Sequence, residues 1–475
     1  MFPDTMVVSE PVEPVSDEAL LARIIGSADL TATVARRLRR HRSGEAAGPL
    51  WWHLYDWIAR GGLGGAVPPA AEKVFAALNH HNAVPPLAED VTAALYGPVL
   101  QGSVSRLESY AQCAFKHFAR YSLRLQERPR WVLDAAQSGT FVHAALKLFV
   151  ERLSGSGADW GALSDDEALA LADACVDSLI PHLGGEILLS SARHGFLAGV
   201  LRRAVRRAVL LLTEHARRGR FRPVHVELTF GRGARGVEPL VLLLEDGGRL
   251  ELSGQIDRVD TAEDGGRRWV RIIDYKSSKR VLSIAGVAHG RSLQLPLYLA
   301  AVLELAESGR IAGGPAEPAA LVYFPVRETL VRIDAPVPEE KLEAMLKRAL
   351  RMRGLFIDDP DVLRAMADDV DGGSQLLNVS VTKRGHVDKR SNTTDAEGFA
   401  ALTGFARRKA AELARSIRAG DVRVAPFALG DDTACRFCPY KPVCQFDPLL
   451  EGNGYRMLED WSRDEAWQRI REAGS

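Results

Sequence analysis

Asp264-Gly265-Gly266 separates two β-prone runs, Leu250 to Val259 and Trp269 to Lys276. An acidic residue followed by paired glycines is a strong tight-turn signal, so the stretch GQIDRVDTAEDGGRRWVRIIDYK (254–276) is predicted to be a β-hairpin. Residues two apart on a strand share a face, which places Asp274 and Lys276 together. The turn then folds Asp257 back beside Asp274. Two adjacent carboxylates repel unless something positive lies between them, and a hard divalent cation with oxygen ligands is the usual solution. A lysine two residues on completes a set suited to phosphodiester hydrolysis, in which a cation polarises a phosphoryl oxygen and the ammonium holds the attacking water. In isolation, a turn-capping Asp257 and a solvated Lys276 are the competing reading.

The length, 475 residues, is enough for two or three domains with sizeable cores. Lys plus Arg and Asp plus Glu both number 61, so overall charge gives no pull toward nucleic acid. Charge is uneven locally. Arginines 193, 202, 203, 206, 207, 217, 218, 220 and 222 face a single acid, Glu214, in that interval. Arg202, Arg203, Arg206 and Arg207 are therefore candidate DNA contacts, with a solvated helix face as the alternative. The N-terminus has no basic start and apolar core of a signal peptide, and no apolar run approaches roughly 18 residues, so a cytoplasmic protein is expected. There is no phosphate-cradling G-x-x-x-x-G-K-[ST], and hence no ATPase motif.

Residues 1 to about 16 are rich in Pro and Glu and read as a disordered segment or linker. Ser16 to Arg40 has helical periodicity, and Trp51 to Trp57 forms an aromatic-rich turn better suited to core packing than to base stacking. A capping box is expected at Ser105 to Glu108, opening a helix through about Leu125 that contains Cys113. Gly139 to Arg152 is a second amphipathic helix, with His143 beside its apolar stripe as either a core histidine or a metal ligand. Helices follow at 164–183 and 190–218. Strands are expected at VHVELTF (224–230), carrying Glu227 as a third acid or an edge charge, and at PLVLLLED (239–246). Pro296 fits only the first turn of the next helix, so that helix starts near Gln294 and places Gln294 and Tyr298 on one face. Further strands are expected at 321–325, 331–336 and 376–388, and a helix at 395–418.

Cys435, Cys438 and Cys444 form a C-x2-C-x5-C cluster, which points to metal or iron–sulfur ligation. A fourth ligand is required, and the other two cysteines are Cys113 and Cys175. Structural zinc competes with an iron–sulfur cluster at this point.

The segments SVSRLESYAQCAFKHFARYSLRLQER (103–128), GTFVH (139–143), GQIDRVD (254–260), IIDYKS (272–277), LQLPLY (293–298) and CRFCPYKPVC (435–444) occur in this order. Together they resemble the RecB-type branch of the PD-(D/E)XK nuclease superfamily, in particular the C-terminal nuclease regions of AddB-type subunits. The resemblance implies an α/β (α+β) restriction-endonuclease-like core with a mixed central sheet flanked by helices. It implies Asp257, Asp274, His143 and the Tyr275 backbone carbonyl as ligands to Mg²⁺ or Mn²⁺. Lys276 would act on the attacking water, with Gln294 and Tyr298 completing the site. Cys113, Cys435, Cys438 and Cys444 would hold a 4Fe-4S cluster, and Cys175 is left as a buried thiol. The expected domains are a helical segment (1–100), a remnant of a helicase-like region, then the nuclease domain (101–447) and a tail (448–475). AddB-type subunits carry a long helicase-like region before the nuclease, so the chain reads as a truncated subunit, a fragment or a split gene product. The implied activity is exonucleolytic cleavage of unwound single-stranded DNA with an AddA-like motor subunit, in double-strand break repair and recombination. A stand-alone RecB-like nuclease and a non-catalytic DNA-binding scaffold are the alternatives.

Overall fold

The computed structural model describes residues 16–473 except 43, 63–64, 68, 79–83, 129–134, 183–191, 232–236, 279, 311–313, 327–330, 334 and 450–452. The expected N-terminal linker, up to residue 15, lies outside the described residues. The chain forms two compact units, residues 1–84 with 440–456, and residues 85–439 with 457–475. In the smaller unit the expected helix from Ser16 is two helices, Asp17–Leu21 and Ser27–Arg42, separated near the exposed Ile25. Val34, Leu38, Trp51, Ile58, Ala71 and Phe75 form its core. Trp51 is fully buried, while Trp52 and Trp57 face outward.

The larger unit is built on an eight-stranded mixed sheet: β1 (Val99–Ser103), β2 (Arg222–Phe230), β3 (Leu240–Leu243), β4 (Arg249–Asp264), β5 (Arg267–Lys276), β6 (Glu317–Pro325), β7 (Arg353–Ile357) and β8 (Thr393–Thr394). The order is β1-β4-β5-β6-β7-β8, with β2 and β3 also pairing β4. The predicted hairpin is present. Asp264 pairs Arg267, and the two intervening glycines have φ of 57° and 79°, the paired left-handed conformation of a type I′ turn. β4 is long enough to serve two sets of partners, its first half pairing β1 and β3 and its second half β2 and β5. β5 and β6 run parallel, which requires a crossover, and the helix Gln294–Glu307 lies in that crossover. Its first turn thus follows the C-terminal end of β5. β6 is apolar along most of its length and buried on both faces, as an interior strand covered by helices must be.

Several local expectations change. The helix at residue 104 is capped by Ser103, whose hydroxyl accepts from the Arg106 N–H, so no capping box joins Ser105 and Glu108. Nor is the helix continuous to Leu125. It breaks at Cys113, whose extended backbone (φ −167°, ψ 125°) separates Val104–Gln112 from Ala114–His117, and Phe118–Ser122 is wound as a π-helix. The described residues of 331–336 are irregular. Residues 376–388 form only isolated bridges, Met352 with Leu377 and Val381 with Asp371 and Val387. The C-terminal stretch contains the helix Arg463–Glu472, whose Ala466, Trp467 and Ile470 are buried in the core of the larger unit.

Candidate active site

Asp257 sits on β4 between two acid-bearing strands. On the β2 side, Leu228 pairs Ile256 and Val226 pairs Arg258, so Glu227 falls across from Asp257. On the other side Arg258 pairs Ile273, which leaves Asp274 as the next residue on β5. Glu227 has φ of 51°, a left-handed conformation that costs a residue with a side chain roughly 1–3 kcal/mol and marks functional sites. The Asp257 carboxylate also replaces a ladder bond. Its Oδ2 accepts the Tyr275 N–H at 2.6 Å.

His143 approaches from the helix Ala135–Ser156. Its Nδ1 lies 3.4 Å from Asp257 Oδ1 and 3.8 Å from Glu227 Oε1, and its Nε2 lies 3.2 Å from the Tyr275 carbonyl oxygen. Both ring nitrogens face acceptors, so the ring is held as imidazolium. Burial opposes that charge, but the neighbouring carboxylates of Asp257 and Glu227 outweigh it and lift the His143 pKa to about 10. Ligand atoms of His143, Glu227 and Asp257 all lie within 4.8 Å of one another. Buried Glu227 Oε1 has no hydrogen-bond donor, and Glu227 Oε2 accepts from Gln255 Nε2. This donor set, with one oxygen unsatisfied and an imidazolium in the place of a cation, fits a hard divalent ion.

Asp274 and Lys276 share a face as predicted. Lys276 Nζ lies 2.6 Å from Asp274 Oδ2 and donates to Gln294 Oε1 at 3.3 Å. Gln294 Nε2 returns a bond to Asp274 Oδ1 at 2.8 Å and lies 3.5 Å from the Tyr298 hydroxyl. Asp274 is 2 % exposed. Burial and the neighbouring Asp257 charge raise its pKa to about 6 despite Lys276. Burial likewise lifts Tyr298 to about 12, so its phenol keeps its proton. Gly254 makes room for this ring: a Cβ there would lie 2.8 Å from Phe230 and 2.9 Å from Tyr298.

Two contributors escape local sequence reasoning. Glu227 needed its strand register, although a lone acid inside VHVELTF was a signal. Glu108 reaches across 185 residues, its Oε1 accepting the Leu293 N–H at 2.7 Å and the Gln294 N–H at 3.1 Å. It thereby caps the helix that presents Gln294, where the positive helix end suits a carboxylate. Burial raises Glu108 to about 7.

Behind β4 lies a second ionic cluster. Arg258 and Asp260 face away from Asp257. Asp260 accepts from Arg258 at 2.5 and 3.0 Å and from Arg271 Nη2 at 2.6 Å, and all three residues are at most 1 % exposed. Burial opposes the Asp260 charge, yet the two guanidinium groups hold its pKa below the usual carboxylate range.

On the arginine-rich helix Ala192–Arg218, two of the four candidate arginines are paired with acids. Arg202 bonds Asp173 at 3.3 Å and also Asp177, and Arg206 bonds Asp173. Arg203 and Arg207 line a cavity of about 570 Å³ whose wall also carries Glu214 and Glu343. Arg202 and Arg206 thus tie this helix to Asp165–Leu179.

Cys113 is buried against Phe427 and Ala434, the latter adjacent to Cys435. Burial pushes its thiol pKa up, and Cys438 adds to the shift. The hairpin leading to Cys435 is anchored by Arg291, which bonds Asp432 at 2.6 Å and stacks 3.6 Å over Phe427. The Cys438 N–H donates to the Cys435 carbonyl at 3.3 Å. Cys444 belongs to the smaller unit, at the end of the short helix Lys441–Cys444. Cys175 is fully buried in the main core.

The mixed sheet and its cluster of acids with a lysine define a nuclease class, and the family model for the PD-(D/E)XK nuclease superfamily matches residues 101–445. The chain belongs to that superfamily. It is 39% identical over 474 residues to the B-type subunit of the ATP-dependent helicase/deoxyribonuclease of Pelotomaculum thermopropionicum, covering 99% of this chain and 40% of the relative. It is 43% identical over 439 residues to the corresponding protein of Moorella thermoacetica (92% of this chain, 37% of the relative). The chain therefore spans about two fifths of the length of these curated relatives. No helix among the described residues is long and apolar enough to cross a membrane.

Proposed function

We propose that the chain is the nuclease part of an AddAB-type helicase-nuclease, hydrolysing phosphodiester bonds of single strands from unwound DNA during double-strand break repair and recombination. The observation that carries this reading is the central position of Asp257 between Glu227 and Asp274, with His143 over the trio and Lys276 on Asp274. Asp257, Asp274, Glu227, His143 and the Tyr275 carbonyl would hold Mg²⁺ or Mn²⁺. That ion would polarise a phosphoryl oxygen and lower the pKa of water. Lys276, fixed between Asp274 and Gln294, places its ammonium where water and phosphate charge meet. Gln294 sets the Lys276 position, and the protonated Tyr298 phenol offers a neutral donor beside it.

The four cysteines Cys113, Cys435, Cys438 and Cys444 are proposed to hold a 4Fe-4S cluster. The C-x2-C-x5-C spacing together with Cys113 as a fourth thiol supports this assignment, with structural zinc as the competitor. The enzyme would be cytoplasmic and work with an AddA-like motor subunit.

The test is cleavage of linear single-stranded DNA by the purified chain, with Mg²⁺ or Mn²⁺, alone and with the motor subunit. Cleavage that Asp274→Ala abolishes while DNA binding persists supports the proposal. No cleavage under any of these conditions overturns it in favour of a DNA-binding scaffold. Cleavage that gains nothing from the motor subunit points to a stand-alone RecB-like nuclease.

A further inference from the structure

Lys116, Arg120 and Arg124 follow one another at intervals of four just beyond the Cys113 break, and Arg120 and Arg124 are exposed. Among the described residues no carboxylate pairs with any of the three, whereas Arg202, Arg206, Arg217 and Arg218 are all paired with acids. Lys116 donates instead to the Gln112 amide oxygen at 2.6 Å. Lys116 lies in the α-helix Ala114–His117, Arg120 in the π-helix Phe118–Ser122, and Arg124, with φ of 53°, just beyond it. Part of this segment is a π-helix, a winding that recurs at functional sites.

The segment is stiffened from within. The Arg120 and Arg106 guanidinium carbons lie 5.4 and 5.6 Å from the Tyr121 ring centroid, and His117 stacks on that ring at 5.4 Å. Arg106 is itself fixed, donating to His117 Nε2 at 3.0 Å and to the Gln101 carbonyl at 2.7 Å. With its ring engaged by His117, Tyr121 serves to orient cations and not to stack a base. Two residues beyond Arg106 on the same helix, Glu108 caps the helix that presents Gln294. One short helix therefore links the cationic row to the candidate site.

On the nuclease reading proposed above, we infer that Lys116, Arg120 and Arg124 form a track for the sugar-phosphate backbone of the strand being cut. The track reads charge, not sequence. Binding of a labelled oligothymidylate of roughly 20 nucleotides to the full chain, in EDTA and across about 50 to 200 mM salt, tests it. Each phosphate contact to a single strand contributes about 0.7 to the slope of log affinity against log salt. The Arg120→Gln/Arg124→Gln variant is expected to lower that slope by about 1.4, and adding Lys116→Gln by about 0.7 more. Arg202→Gln/Arg206→Gln removes equal charge from paired sites and should leave the slope unchanged.

A wild-type slope in the double variant, an equal drop in the control, or no oligonucleotide binding by the wild type would overturn the track. Cleavage with Mg²⁺ is scored separately. A reduced slope in the double variant upholds the track even if the wild type cuts nothing, which would sink only the nuclease reading. Normal cutting with an unchanged slope does the reverse.

Discussion

Asp257 and Asp260 lie three residues apart on one strand, and the environment makes them opposites. Asp260 has two arginines and no acid beside it, whereas Asp257 has Glu227 and Asp274 for neighbours. With every acid ionised, the site face carries three carboxylates against His143 and Lys276, a balance of −1. The back face carries Arg258 and Arg271 against Asp260, a balance of +1, because burial keeps His215 neutral. Tyr275 lies between the two networks and feels both Arg258 and Asp257. One face of the hairpin already carries an excess of positive charge, and the other is arranged to accept a further positive charge.

The comparison predicts unequal damage from similar substitutions. Asp260→Ala leaves two buried guanidinium groups uncompensated and should cost about 3–5 kcal/mol, seen as a lower midpoint in urea unfolding. Asp257→Ala relieves a crowd of three carboxylates but leaves the buried Tyr275 N–H without its acceptor, so it should cost less, about 1–3 kcal/mol, while abolishing any rise in Tm on adding Mg²⁺ or Mn²⁺. Equal losses of stability in both variants would erase the distinction between the faces.

The next effect is on pH. His143 is raised to about 10 from an ordinary 6.5, so its imidazolium stabilises the metal-free fold fully below pH 6.5, and that contribution is lost as pH rises through about 10. A metal ion bound by His143 would displace one ring proton, so titration of Mg²⁺ near pH 8 should release acid, and His143→Gln should suppress the release. Asp274, raised to about 6, is protonated below that pH, so metal affinity should fall as pH drops through 6. Calorimetry in buffers of different ionisation enthalpy measures both.

A smaller loss is expected from Gly254→Ala. Its Cβ displaces the Phe230 and Tyr298 rings, and turnover should fall several-fold with metal affinity intact. The smallest is expected from Glu108→Gln, which keeps an acceptor at the helix start but removes its charge, about 0.3–1 kcal/mol of helix stabilisation. Because Glu108 titrates near 7, the difference from wild type should shrink below that pH in a cleavage profile.

What was legible in the sequence was local. Period-two alternation and the Asp264-Gly265-Gly266 turn placed Asp274 with Lys276 and turned Asp257 toward them, and Pro296 located the helix start that carries Gln294 and Tyr298. What was illegible depended on distant partners. Glu227 acquires its place from the register of β2 on β4 and from a backbone twist at one residue. Glu108 looked like half of a capping box because its spacing from Ser105 fits one, whereas its true hydrogen-bond donors lie on another helix. The pairing of Arg202 and Arg206 was hidden because Asp173 and Asp177 belong to the preceding helix.

The imidazolium held between Asp257 and Glu227 has a consequence for turnover. Because a proton-bearing ring already occupies the acidic notch, the notch does not collapse or repel when its cation leaves, and ion departure is an exchange of one positive charge for another. On the nuclease reading, such a centre would load and unload its metal with each strand cut, whereas the Asp260 cluster is sealed once, at folding, and stays shut.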